Sequence, residues 1–135
     1  MKKALQENGR TFDLSLSDAF RSLGQKGVPT LIEVLEDDRN LEAQTAACTC
    51  LGFIGPAAED AVPALRRALQ KKGSKKWGVL TLRLDSHAAW ALGHLGEKAK
   101  VAIPDLEKLA QDGDEDTRDS ARRALGELRA QPGRP

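Results

Sequence analysis

Apolar positions along the chain recur at helical spacing, and the runs that carry them repeat. The clearest run, Ala88-Ala89-Trp90-Ala91-Leu92-Gly93-His94-Leu95-Gly96, has weaker counterparts at Ala47 to Gly55 and at Ala121 to Leu128. Paired small residues, then Leu-Gly, then an aliphatic residue, predict a helix with one face shallow enough for a neighbouring helix to pack closely. About eleven residues after the Leu comes a second signal: Leu51 leads to Val62-Pro63 and Leu92 to Ile103-Pro104. Val28-Pro29 belongs to the same set. Proline is tolerated in the first turn of a helix, where its missing N–H would have had no partner anyway. Unlike signals in a fixed order, at a period of roughly 33 to 41 residues, predict a helical solenoid whose units bury their apolar faces against their neighbours.

Each unit is then a pair of helices, A and B. Residues 12–27 hold a partial unit in which Leu16, Ala19, Phe20 and Leu23 keep helical spacing before Gly24 and Gly27 stop the helix. In the repeat at 28–60, helix A is expected to bury Leu31, Ile32, Val34 and Leu35. Asp37-Asp38-Arg39-Asn40 forms the turn, and helix B turns Ala43, Ala46, Ala47, Cys50, Leu51 and Ile54 inward. The repeat at 61–101 places Val62, Leu65, Ala68 and Leu69 on helix A and Ala88, Ala89, Ala91, Leu92 and Leu95 on helix B. Between them lies an insertion, Lys71 to Arg83, in place of a short turn. Its alternating part, Val79 to Leu84, fits either a hairpin arm or an early start of the next helix, and periodicity does not separate the two. The repeat at 102–129 carries Ile103, Leu106 and Leu109, an acidic turn at Asp112 to Asp116, and a last helix through Leu128. The expected fold is all-α: a single domain over 1–130, a right-handed α-solenoid of about three helix pairs plus an N-terminal half-repeat, with a flexible tail at 131–135.

Composition changes this picture little. The 135 residues hold 21 basic and 20 acidic side chains, a balance that disfavours a general nucleic-acid or anionic-membrane binder. The basic start, Met1-Lys2-Lys3, has no apolar run behind it and does not read as a signal peptide. No window approaches the roughly 18 apolar residues of a membrane span, so a cytoplasmic location is expected. Cys48 and Cys50 lie two apart on a helix, where their side chains diverge; they read as small hydrophobes in a reducing compartment.

These residues resemble HEAT-like repeats of the short bacterial kind also found in phycobilin lyase subunits. That pattern runs Asp at the turn, Val-Arg, Ala-Ala, Ala-Leu-Gly, Ile-Gly and, after a loop, Ala-Val-Pro-Leu. Asp114, Arg118, Ala121 and Ala124-Leu125-Gly126 keep it in the third repeat; Ala46-Ala47, Leu51-Gly52, Ile54-Gly55 and Ala61-Val62-Pro63 keep it in the first. The resemblance implies an α-solenoid and, for most relatives, partner binding without choosing the partner. Deoxyhypusine hydroxylase resembles the chain in its repeats and holds two irons through His-Glu pairs before the Ala-Ala. The matching positions here are Ser86-His87, Thr45-Ala46 and Asp119-Ser120, so no pair survives. The expectation is therefore a non-enzymatic scaffold with no metal site and no cofactor. Its alternatives are an accessory subunit of a bilin lyase or other modifying enzyme and, behind that, a nucleic-acid or acidic-partner binder.

The resemblance also places the B helices on the inner surface, where equivalent positions form ladders. The residue two before each Leu-Gly gives Arg21, Thr49, Trp90 and Arg123; the residue after the Gly gives Gln25, Phe53, His94 and Glu127. Aromatic residues on a polar groove are common interface anchors, so Phe53, Trp90 and His94 stand out as a protein- or peptide-binding face. The other reading of Trp90 is a satellite core covered by the insertion through Trp77. The insertion collects Lys71, Lys72, Lys75 and Lys76 around Trp77, with Arg66 and Arg67 nearby. It reads either as a binding loop for RNA or an acidic partner or as a solvated turn between the acidic turns at Glu36 to Asp38 and Asp112 to Asp116; the nearby acids favour the turn. His87 and His94 are too far apart along a helix for a ligand pair, leaving His94 as groove surface and His87 as packing. Arg122 occupies the place of Cys48 and Ala89, which suits a polar outer face on a terminal repeat, with Arg118 and Arg129 beside it. The chain is expected to be a monomer or to self-associate weakly, through its N-terminal end.

Overall fold

The computed structural model describes residues 26–71, 74–77 and 80–130, with the side chains of 74–77 and 80–82 outside the description. The partial first unit, Arg21 and Gln25, Lys72, the Lys75, Lys76 and Trp77 side chains and the tail therefore lie outside the described residues.

Three helix pairs follow one another. They are α1 (Val28–Glu36) with α2 (Leu41–Ile54), α3 (Val62–Leu69) with α4 (Leu84–His94), and α5 (Ile103–Asp112) with α6 (Glu115–Ala130). Pro29, Pro63 and Pro104 each sit in the first turn of the A helix they open. Asn40 caps α2: its side-chain oxygen accepts the Ala43 N–H at 3.0 Å, satisfying one of the amides a helix start leaves open. The B helices α2, α4 and α6 pack in sequence, α2 on α4 and α4 on α6, while α1, α3 and α5 form the opposite layer. This is the arrangement of an α-solenoid.

The core lies between the layers. Leu35, Leu51, Leu65, Leu69, Leu92, Leu106 and Leu128 are among the fully buried side chains, and Cys48, Ala88, Ala89, Ala91 and Ala121 are sealed between helices. Burial raises the Cys48 thiol to about 12 and raises that of half-buried Cys50 as well, so neither is an activated thiolate. Ile32 and Val34 are half-buried against this core. On α2 the expected inward set shifts. Ala46 is exposed, Ala43 and Cys50 are half-buried, and Gln44, Thr45 and Cys48 take the buried positions. Gln44 can be buried because its Nε2 donates to the Leu35 carbonyl at 2.8 Å and to Asp38 at 3.0 Å.

In the insertion, the hairpin alternative is the one realised. Ser74–Trp77 (β1) pairs antiparallel with Leu80–Arg83 (β2), and α4 begins at the next residue. The flanking basic residues are tied down. Lys71 pairs with Asp38, Arg67 with Glu36, and Arg66 with Asp105 at 2.7 Å. Exposed pairs of this kind contribute little each, up to about 1 kcal/mol, but they spend the positive charge locally. Arg122 is exposed on α6, in contrast to its buried equivalents Cys48 and Ala89. Among the described residues no helix is long and apolar enough to cross a membrane.

Each of α2 and α4 is followed by a 3-10 stretch, Gly55–Ala61 and Glu97–Ala102, whose alanines Ala58, Ala61, Ala99 and Ala102 are fully buried. Gly55 (φ 78°, ψ −145°) and Gly96 (φ 87°, ψ −158°) make these exits in a backbone region nearly closed to side chains. Gly96→Ala should therefore lower stability in a urea melt by about 1–3 kcal/mol. Gly126→Ala is the contrasting case: it lies inside α6 with open space around an added methyl and should stabilise by about 0.5–1 kcal/mol.

The α1–α2 turn gives a pH signature. Arg39 grips Asp37 with Nε and Nη2 at 2.9 Å each and with its backbone N–H at 3.1 Å. These bonds lower the Asp37 carboxyl from 3.8 to about 2. A depressed folded value means the pairing is fully present above the unfolded pKa and is lost as pH falls through about 2. In an NMR titration the Asp37 carboxyl should turn over near 2 and return toward an ordinary aspartate in Arg39→Ala.

Candidate functional site

The groove is built where α2, α4 and α6 run side by side. Trp90 on α4 is half-buried and lies across to α2 because Gly52 leaves it room: a Cβ at Gly52 would stand 2.9 Å from Trp90 Cε3 and closer still to Cζ3. Phe53 meets the Trp90 ring edge-on, centroids 5.5 Å apart at 67°, and His94 lies over it at 4.4 Å with a 35° tilt. Trp90 is thus held by α2 and by its own helix; whether Trp77 also reaches it lies outside the described residues. Phe53 remains 39% exposed, which leaves an aromatic edge at the surface.

Beside this aromatic group is an open hollow of about 330 Å³ lined by Thr49, Phe53, Ser86, His87, Trp90 and Ser120. A second hollow of about 270 Å³ adjoins it, sharing Ser86, His87 and Ser120 and continuing to Arg83, Asp116, Asp119 and Arg123. The first is mainly apolar, the second polar, and together they form one trough across three helices. Thr49 faces it from α2 with its hydroxyl donating to the Thr45 carbonyl at 3.2 Å. Arg123 faces it from α6, loosely paired with Asp119 at 3.9 Å. His94 flanks Trp90 without lining either hollow, and Glu127, exposed on α6, lines neither.

The floor was not foreseen. Ser86 and Ser120 place their hydroxyl oxygens 2.6 Å apart, and His87, expected to be packing alone, lines both hollows. His87 Nδ1 lies 2.9 Å from the Arg83 carbonyl, and His94 Nδ1 lies 2.9 Å from that of Trp90. A carbonyl only accepts, so each Nδ1 carries the hydrogen and the neutral ring keeps Nε2 as an acceptor. The available sequence signal was the rung one helical turn upstream of Thr49 and Trp90, which carries hydroxyl and imidazole groups at Thr45, Ser86, His87 and Ser120.

Beneath the polar end sits a buried network. Arg83, the last residue of β2, donates from Nε to Thr117 Oγ1 at 3.0 Å and from Nη2 to Asp85 at 3.3 Å, and also pairs with Asp114. Thr117 donates to Asp85 at 3.2 Å, and the Ser86 N–H reaches Asp85 at 2.8 Å. Among the described residues no group of three or more His, Cys, Asp or Glu is placed to hold a metal ion.

Comparison with known proteins fits this geometry. Residues 86–112, which span most of α4 and α5, match the family described as PBS lyase HEAT-like repeat. That stretch is similar to a single HEAT-like repeat. The crystal structure of an engineered protein, a Northeast Structural Genomics Consortium target, superposes with a TM-score of 0.60 at 22% identity over 95% of this chain. The chain spans 60% of that structure's length, and at this identity the likeness speaks for the α-solenoid fold alone. No curated protein matches the chain significantly.

The seat of Trp90 is a packing condition on Gly52. Gly52→Ala should expel the ring from its seat, raising Trp90 solvent exposure in a Trp77→Phe background as a red-shifted emission with stronger acrylamide quenching. Unchanged emission would show that the ring does not depend on the missing side chain.

Proposed function

We propose that the trough formed by α2, α4 and α6 binds a protein partner through an extended segment or peptide, and that the chain acts as a non-enzymatic scaffold. The observation that carries this reading is the Trp90–Phe53 pair, held by Gly52 and left partly open beside a hollow of about 330 Å³. Half-buried aromatics of fixed orientation lose little side-chain entropy when a partner covers them, and they dominate many interfaces. Repeat stacking supports the same reading, since it builds a continuous surface from equivalent positions of successive units. The basic residues beside the insertion favour a structural role over nucleic-acid binding, because Arg66, Arg67 and Lys71 are already paired with carboxylates.

Peptides selected from a displayed library against the full chain test this. Trp90→Ala should weaken a selected binder by about 2 kcal/mol or more, and Phe53→Ala should weaken it as well while lowering fold stability by only about 1 kcal/mol. Binders indifferent to both substitutions would overturn the assignment. The rival role as an accessory subunit of a bilin lyase makes a different prediction, a pigment-dependent absorbance change on mixing with bilin.

A further inference from the structure

The trough is chemically uneven along its length, and that unevenness describes its occupant more closely. Its α2 end is the aromatic hollow formed by Thr49, Phe53 and Trp90. Its α6 end is charged, and the signs do not cancel. Arg83 is already engaged by Asp85 and Asp114, and at 14% side-chain exposure it is turned inward to them. Asp116 and Asp119 then stand exposed at the mouth, where the exposed guanidinium of Arg123 pairs only loosely with Asp119 at 3.9 Å. The lining holds two carboxylates (Asp116, Asp119) and two guanidinium groups (Arg83, Arg123), and the acidic surplus arises because Arg83 is taken up by two further carboxylates, Asp85 and Asp114.

Between the ends, the floor offers the two functions a peptide unit needs. His87 commits its Nδ1 hydrogen to the Arg83 carbonyl, so in the neutral ring Nε2 can accept an N–H. Ser86 and Ser120 share one hydrogen across 2.6 Å, which leaves the second hydroxyl hydrogen to be donated to a carbonyl. Both groups lie in the stretch common to the two hollows. An extended chain crossing there would put residues i and i+2 on the same side, about 7 Å apart.

Resting on the groove reading above, we infer that the occupant is an extended peptide segment with a large apolar side chain seated against Phe53 and Trp90 and a Lys or Arg within two residues of it. The cation lies at Asp116 and Asp119, and the peptide unit between the two side chains meets His87 and the Ser86–Ser120 pair.

The test uses a random dodecamer library displayed against the full chain, with the selected peptides resynthesised for titration calorimetry. The expected consensus joins a large apolar residue to a basic one within two positions. Replacing that basic residue by Glu should weaken binding roughly fivefold. Asp116→Asn with Asp119→Asn should remove this preference, and added salt should reduce it. If the double variant does not fold, the Lys-to-Glu comparison on the unaltered chain still decides. Binders that depend on Trp90 but carry no basic residue, or an acidic one, would overturn this inference and leave the groove reading standing. The absence of any Trp90-dependent binder would overturn the groove reading and this inference with it.

Discussion

The structure depends on how closely successive B helices approach one another. At Gly93 a Cβ would stand 3.0 Å from the Ala124 Cα, so the backbones of α4 and α6 are separated by almost no side chain. Cys48, Ala88, Ala89, Ala91 and Ala121 are fully buried for the same reason. Interiors pack at crystal-like density, and a methyl group too many in such a seam forces the backbones apart. The glycine exits at Gly55 and Gly96 belong to this constraint, because only a sharp reversal returns the chain to the opposite layer without lengthening the stack.

Close packing of small residues supplies little specificity of register, and the buried polar groups add it. Arg83, Asp85 and Thr117 join the end of β2, the start of α4 and the start of α6 in one network. Burying an ion pair is favourable only when its remaining hydrogen-bonding capacity is met. Among the described residues no buried side-chain nitrogen or oxygen lacks a partner. The hairpin thus ends on a residue that fastens the second repeat to the third, which gives the insertion a structural role independent of its lysines.

The candidate site grows from these two features. Close helix approach at Gly52 lets the Trp90 ring lie across the junction of two repeats and meet Phe53. The polar network draws Arg83 inward and leaves Asp116, Asp119 and Arg123 to set the character of the α6 end. An apolar socket and a polar mouth are therefore neighbours because one helix junction is spaced by glycine and the next is tied by charge.

Much of this architecture was written in the order of residues. The Val-Pro and Ile-Pro helix starts, the small-residue runs and the Leu-Gly pairs have local causes: fixed φ at proline, missing side chains at glycine, and the 3.6-residue period of an apolar stripe. They determined the helix pairs and the leucine core, while the ladder of Thr49, Phe53, Trp90 and Arg123 came from the resemblance to HEAT-like repeats. What required the tertiary structure was every choice resting on contact between distant residues. Gln44 is buried and Ala46 exposed because the Leu35 carbonyl and Asp38 are there to satisfy an amide. Residues 74–77 and 80–83 pair as antiparallel strands, where periodicity alone left an early start of the next helix open from Val79. Ser86 and Ser120, 34 positions apart, share a hydrogen bond that neither local sequence announces. Propensity and periodicity act within a turn or two of helix, whereas the partner of a buried polar group is supplied by whatever the fold brings beside it.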